Sequence, residues 1–105
     1  MWKVMIVDDE KLICKLVQAL VEWDKLGMQM AAQAENAIQA LDMLQQYRPD
    51  ILITDIRMPG MDGLELMSKV RDILPFTVFI ILTNYAEFSY AKQAISLGAR
   101  EYILK

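Results

Sequence analysis

Ile51-Leu52-Ile53-Thr54-Asp55-Ile56-Arg57-Met58-Pro59-Gly60-Met61-Asp62-Gly63 decides how this chain reads. A short, β-branched, nearly continuous apolar run ends in a carboxylate and passes into a Pro/Gly-rich turn. The run predicts a buried strand over residues 51–53. Asp55 then falls just past the strand's carboxyl end, where open α/β sheets collect ligands and chemistry. A lone aspartate there more often only starts a turn. Three other apolar runs, however, also end in a reactive residue.

Upstream, Pro49-Asp50 breaks a helix that closes near Tyr47. Asn36 with Gln39 resembles a capping box that opens it, and Ile38, Leu41 and Leu44 are its expected inward positions. Residues 28–34 are a weaker strand candidate, rich in Met, Gln and Ala, and residues 23–27 are a connector. Residues 11–22 have helical spacing, with Leu12, Ile13, Leu16, Val17, Leu20 and Val21 expected on one face. Cys14 falls on the apolar side of that helix and reads as core packing. Residues 2–7 form the first apolar run, ending in Asp8-Asp9; Glu10 reads as first-turn helix charge.

Downstream, Asp62 with Glu65 caps a helix running to about Leu74, and Pro75 ends it. Residues 78–82 are the most apolar strand, followed by Thr83. Asn84 with Glu87 caps a helix over about residues 86–97, with Gly98 at C′. Residues 101–104 are a last short strand before Lys105. Strand and helix alternate throughout, which predicts one domain over residues 1–105: a doubly wound, five-stranded parallel sheet of flavodoxin-like order 2-1-3-4-5.

Composition excludes several functions. The 105 residues are 55 % hydrophobic and 24 % charged, so the chain is globular. Its apolar runs are too short to span a bilayer and no signal-peptide pattern opens it, so a cytoplasmic location is expected. Net charge is −3 with no basic cluster, which argues against direct nucleic-acid binding. There is no histidine, which removes His-Cys zinc sites and Ser-His-Asp triads.

Side by side, the strand ends bring Asp8, Asp9, Asp55, Thr83 and Lys105 to one edge. Two carboxylates ~5 Å apart repel by roughly 3 kcal/mol at an effective dielectric of about 20. Three such pairs amount to roughly 10 kcal/mol, comparable with the stability of a small domain. The cluster must therefore protonate, lean on Lys105 or bind a cation, and Mg²⁺ suits carboxylates that leave room for waters and a phosphate. With its charge offset, Asp55 can act as a nucleophile toward phosphorus.

Over essentially its whole length the chain resembles the receiver domains of bacterial two-component response regulators. The matching pieces are Val7-Asp8-Asp9-Glu10, the stretch from Asp55 to Gly63, Leu82-Thr83, and Ala99-Arg100-Glu101-Tyr102-Ile103-Leu104-Lys105. The resemblance implies that Asp55 accepts phosphoryl from a phosphohistidine on a sensor histidine kinase. It also implies Mg²⁺ on Asp8, Asp9, Asp55 and the backbone carbonyl of Arg57. By the same resemblance, Lys105 pairs with the phosphoryl group, Thr83 is the switch hydroxyl and Tyr102 the switch aromatic. Glu22-Trp23-Asp24-Lys25-Leu26-Gly27 and the stretch from Asn84 to Ala94 resemble receivers fused to a C-terminal AraC-type DNA-binding domain, and homodimer formation is compatible with that type.

The sequence departs from the family in stopping at Lys105, where the family continues with proline and a fifth helix. One sheet face near strands 4 and 5 is therefore expected to be partly uncovered. Asn84, where the family has a small residue, is expected to cap the fourth helix. Two alternatives stand beside the phosphoacceptor reading. One is a receiver-like interaction module that takes no phosphate. The other is a haloacid dehalogenase-type hydrolase, disfavoured because Arg57, not a second Asp, stands two residues after Asp55. A nucleotide-binding module lacks its glycine motifs.

Overall fold

Strand and helix alternate as β1 (Trp2–Val7), α1 (Lys11–Leu20), β2 (Met28–Ala34), α2 (Ala37–Tyr47), β3 (Ile51–Thr54), α3 (Gly63–Ile73), β4 (Val78–Thr83), α4 (Phe88–Ser96) and β5 (Ala99–Leu104). The computed structural model describes residues 1–83 and 88–104, with Phe88, Tyr90, Ala91, Tyr102 and Leu104 described by backbone alone. The strands form one sheet in the order β2-β1-β3-β4-β5, and every adjacent pair is parallel. This is the doubly wound order the sequence predicts.

Strand order decides which face each helix takes. Parallel crossovers are right-handed. The step from β1 to β2 crosses the sheet one way, and the steps from β2 to β3, β3 to β4 and β4 to β5 cross it the other way. Thus α1 lies on one face, and α2, α3 and α4 lie on the opposite face. Burial agrees. One core cluster joins Met5 and Val7 of β1, Leu52, Phe79 and Ile81 to Leu44, Leu66, Met67 and Val70 of α2 and α3. Val4, Ile6 and Cys14 are buried outside that cluster, on the α1 side. There the outward positions of β3 and β4 (Ile51, Ile53, Val78, Ile80 and Leu82) are only half-buried, and Ile103 of β5 is 45 % exposed. Each fully buried Leu, Ile or Phe stabilises by about 1.5–3 kcal/mol, so the three-helix face carries most of the hydrophobic stabilisation.

Local chemistry sets the helix ends. Asn36 Oδ1 accepts from the Gln39 N–H at 2.8 Å, and Gln39 Oε1 accepts from the Glu35 N–H at 2.6 Å. The return arm lands one residue earlier than a capping box places it. Asp62 Oδ1 accepts from the Glu65 N–H at 2.8 Å and opens α3 as predicted. Gly98 has φ +95°, the left-handed conformation expected at C′. The expected Asn84 cap lies outside the described residues.

Three expectations need correction. α1 stops at Leu20, because Val21 turns extended (φ −85°, ψ 131°) while its N–H donates to Val17. Its inward face is only part of the predicted one. Cys14 is buried and Ile13, Val17 and Val21 are half-buried, whereas Leu12, Leu16 and Leu20 are exposed. The apolar stripe is wider than the strip that the sheet covers, and the i, i+4 row of leucines falls beyond it. In α2, Ala37, Ala40 and Leu44 are buried and Ile38 is 59 % exposed. Small alanines bring that helix close to the sheet. Among the described residues no helix is long and apolar enough to cross a membrane.

Candidate functional site

Register brings the strand ends level. Val7 of β1 pairs with Thr54 of β3, so Asp8 and Asp55 stand side by side one residue further on. Thr54 pairs in turn with Ile81 of β4, which places Thr83 at the same carboxyl edge. Asp8 and Asp55 are each 2 % exposed and Thr83 is fully buried. The backbone ladder continues past the strands: the Asp8 N–H donates to Ala34 O at 3.0 Å and the Asp55 N–H to Val7 O at 3.1 Å. Each buried carboxylate has one oxygen fixed by a backbone donor. The Glu10 N–H donates to Asp8 Oδ1 at 2.9 Å, and the Ile56 N–H donates to Asp55 Oδ1 at 2.7 Å. Such charge-assisted bonds hold a carboxylate in one orientation.

The loop after Asp55 is anchored from below. Ile56 is fully buried and Met58 nearly so, both in the core cluster. The Gly63 N–H donates to Ile56 O at 2.7 Å and closes the loop. A Cβ on Gly63 would land on the Asp55 carbonyl oxygen, so only glycine lets α3 start this close to the site. The Thr54 hydroxyl donates to Asp55 O at 2.9 Å, adding a further tie to the same peptide.

Asp8, Asp9, Glu10 and Asp55 each offer a carboxylate oxygen within 4.8 Å of the others. At that separation the buried Asp8–Asp55 pair repels by about 3.5 kcal/mol, taking an effective dielectric of about 20. A hard cation relieves this, and the donor set is all oxygen, as Mg²⁺ or Ca²⁺ requires.

Of the predicted site residues, the sheet edge brings Asp8, Asp9, Asp55 and Thr83 together. Arg57 is exposed, two residues along the loop from Asp55. The Tyr102 backbone pairs with Ile81, while its side chain, like the whole of Lys105, lies outside the described residues. Two contributors escaped the sequence reading. Glu10 joins the acids; three consecutive acidic residues after a strand were its only signal. Gly63 sets how closely α3 approaches Asp55, which depends on a tertiary contact.

A family model described as the response regulator receiver domain matches residues 4–105. Among curated proteins, the chain is 41 % identical over its full length to the uncharacterized transcriptional regulatory protein YesN of Bacillus subtilis (strain 168), covering 28 % of that protein. It is 35 % identical, again over its full length, to the transcriptional regulatory protein HptR of Staphylococcus aureus (strain N315), covering 41 % of it. The chain thus spans less than half of these relatives. Among solved structures, it is similar to the REC domain of AraT, a response regulator from Geobacillus stearothermophilus. The TM-score is 0.91 and the identity 42 %, over 99 % of this chain and 81 % of that one.

Proposed function

This chain belongs to the response regulator receiver domain family, and from that premise we propose that Asp55 is the phosphoacceptor through which it signals. One observation carries the reading. The Asp55 carboxylate is buried beside Asp8 at the sheet's carboxyl edge, with Oδ1 fixed by the Ile56 N–H. In the proposed step an Asp55 oxygen attacks the phosphorus of a phosphohistidine on a sensor histidine kinase. The O–P bond forms as the N–P bond breaks, and the histidine nitrogen keeps the electron pair. Such transfer needs chiefly positioning and neutralisation of charge. Asp8, Asp9, Asp55 and the Arg57 carbonyl would hold Mg²⁺, which when bound supplies that neutralisation. Lys105 pairs with a phosphoryl oxygen, the Thr83 hydroxyl moves toward another, and the Tyr102 ring turns inward behind it. The domain assists its own phosphorylation and dephosphorylation and has no separate substrate.

The output is a shift in population on the face formed by α4, β5 and the family's fifth helix, a local charge event biasing a two-state element. The relatives' names, both transcriptional regulatory proteins, and the chain's coverage of less than half of each support a longer parent protein that carries a DNA-binding domain. The connector from Glu22 to Gly27 and the stretch from Asn84 to Ala94 favour the AraC type. The test is intact mass after incubation with Mg²⁺ and acetyl phosphate, on this chain and on Asp55→Asn. A hydroxylamine-labile gain of about 80 Da, one phosphoryl group, is expected in the first and absent in the second. No adduct in either would favour the interaction-only module.

A further inference from the structure

α3 and α4 each follow a parallel strand and run back to the amino edge of the sheet, so both helices end far from Asp55. Arg71, in the last turn of α3, reaches from one of these ends to the other. Its guanidinium carbon lies 5.3 Å from the centroid of the Phe79 ring. Phe79 is 1 % exposed, and its backbone pairs with Ala99, the residue after Gly98. A Cβ at Gly98 would overlap the Arg71 guanidinium, so the guanidinium also lies directly against the turn that joins α4 to β5. We propose that Arg71 pins the Gly98 end of α4, so that α4 answers phosphorylation by swinging about this end. The inference rests on the phosphoacceptor reading of Asp55 and on α4 and β5 as part of the output face.

α4 has no basic residue in its own last turn. The last carbonyls of a helix carry partial negative charge, which a nearby cation offsets. Arg71 supplies that cation from a different helix, and the ring of Phe79 attracts it from below. Gly98 takes φ +95° and, having no side chain, leaves room for the guanidinium. The strand ladder is interrupted at the same place. Phe79 pairs with Ala99 but Ile80 pairs with Glu101, so Arg100 is an extra residue in β5. On the inner side Ala94 is fully buried in the core cluster, and Leu97 and Ala99 pack against it. The Gly98 end of α4 is thus held from within by the core and from outside by Arg71. The opposite end of α4 lies toward the carboxyl edge, where Thr83 closes β4. A helix held at one end and driven at the other moves as a hinged body.

Amide hydrogen exchange read by mass spectrometry tests this on the 105-residue chain, on Arg71→Ala and on Arg71→Lys, each before and after treatment with acetyl phosphate and Mg²⁺. Before treatment, Arg71→Ala is expected to speed exchange over residues 93–99 about fivefold and to leave β1 and β3 unchanged. Arg71→Lys keeps the charge without the flat group and is expected to fall between the two. After treatment, the unaltered chain is expected to change its exchange at the Thr83 end of α4, with residues 95–99 staying within about twofold. In Arg71→Ala the change is expected to spread to residues 95–99. Unaltered exchange over residues 93–99 in untreated Arg71→Ala would overturn the proposal. Faster exchange spread evenly over β1 and β3 would make Arg71 a general stabiliser and also overturn it. A phosphorylated, unaltered chain whose α4 changes equally at both ends would rule out the swing while leaving Asp55 as phosphoacceptor. No gain of phosphoryl mass by the unaltered chain would remove the phosphoacceptor reading and this inference together.

Discussion

Asp55 owes its standing to the residues that hold its peptide: Ile56 below it, Thr54 beside it and Gly63 across from it. Gly63 is the sharpest probe of that hold. In Gly63→Ala the new methyl meets the Asp55 carbonyl, and either α3 or the Asp55 peptide must shift. Overpacking of this kind costs about 1–3 kcal/mol. Urea unfolding should show a loss of that size, and calorimetry should show weaker Mg²⁺ binding by the folded variant. The carboxylates were legible in the sequence because β-branched runs mark strand ends. Glu10 was not, since its place among the acids depends on how the Asp8–Glu10 turn folds. Gly63 was not either, because its role appears only when α3 docks.

Elements were legible wherever local chemistry decides them. The caps at Asn36 and Asp62 are side-chain bonds within four residues, and both form. Asn36→Ala and Asp62→Ala should each cost about 1 kcal/mol in chemical denaturation. Inward faces were less legible, because they depend on how much of an apolar stripe the sheet covers. α1 shows this most clearly, with Leu20 at 76 % exposure while the smaller Cys14 is buried. Leu44→Ala in α2 should therefore cost about 2–5 kcal/mol. Leu20→Ala should stay within about 0.5 kcal/mol, as surface substitutions do. Equal losses at the two leucines would show that α1 packs through the face the spacing first suggested.

At the scale of the molecule, alternation of strand and helix carried the strand order, because right-handed crossovers leave few other arrangements. The register that aligns Asp8 with Asp55 is set separately, by the pairing of Val7 with Thr54. If those acids share a cation, the cation binds the folded chain and not the unfolded one. Mg²⁺ at about 100 times its Kd should then raise the unfolding free energy by about 2.7 kcal/mol. Asp8→Asn should show little of that gain in the same melts. The central claim, however, concerns one atom of one residue. Borohydride reduction of the chain treated with acetyl phosphate and Mg²⁺, followed by peptide mapping, converts an aspartyl phosphate to homoserine where it formed. Homoserine at position 55 alone is the expected result, and homoserine at another aspartate, or none in a chain that gained the phosphoryl mass, would contradict the account.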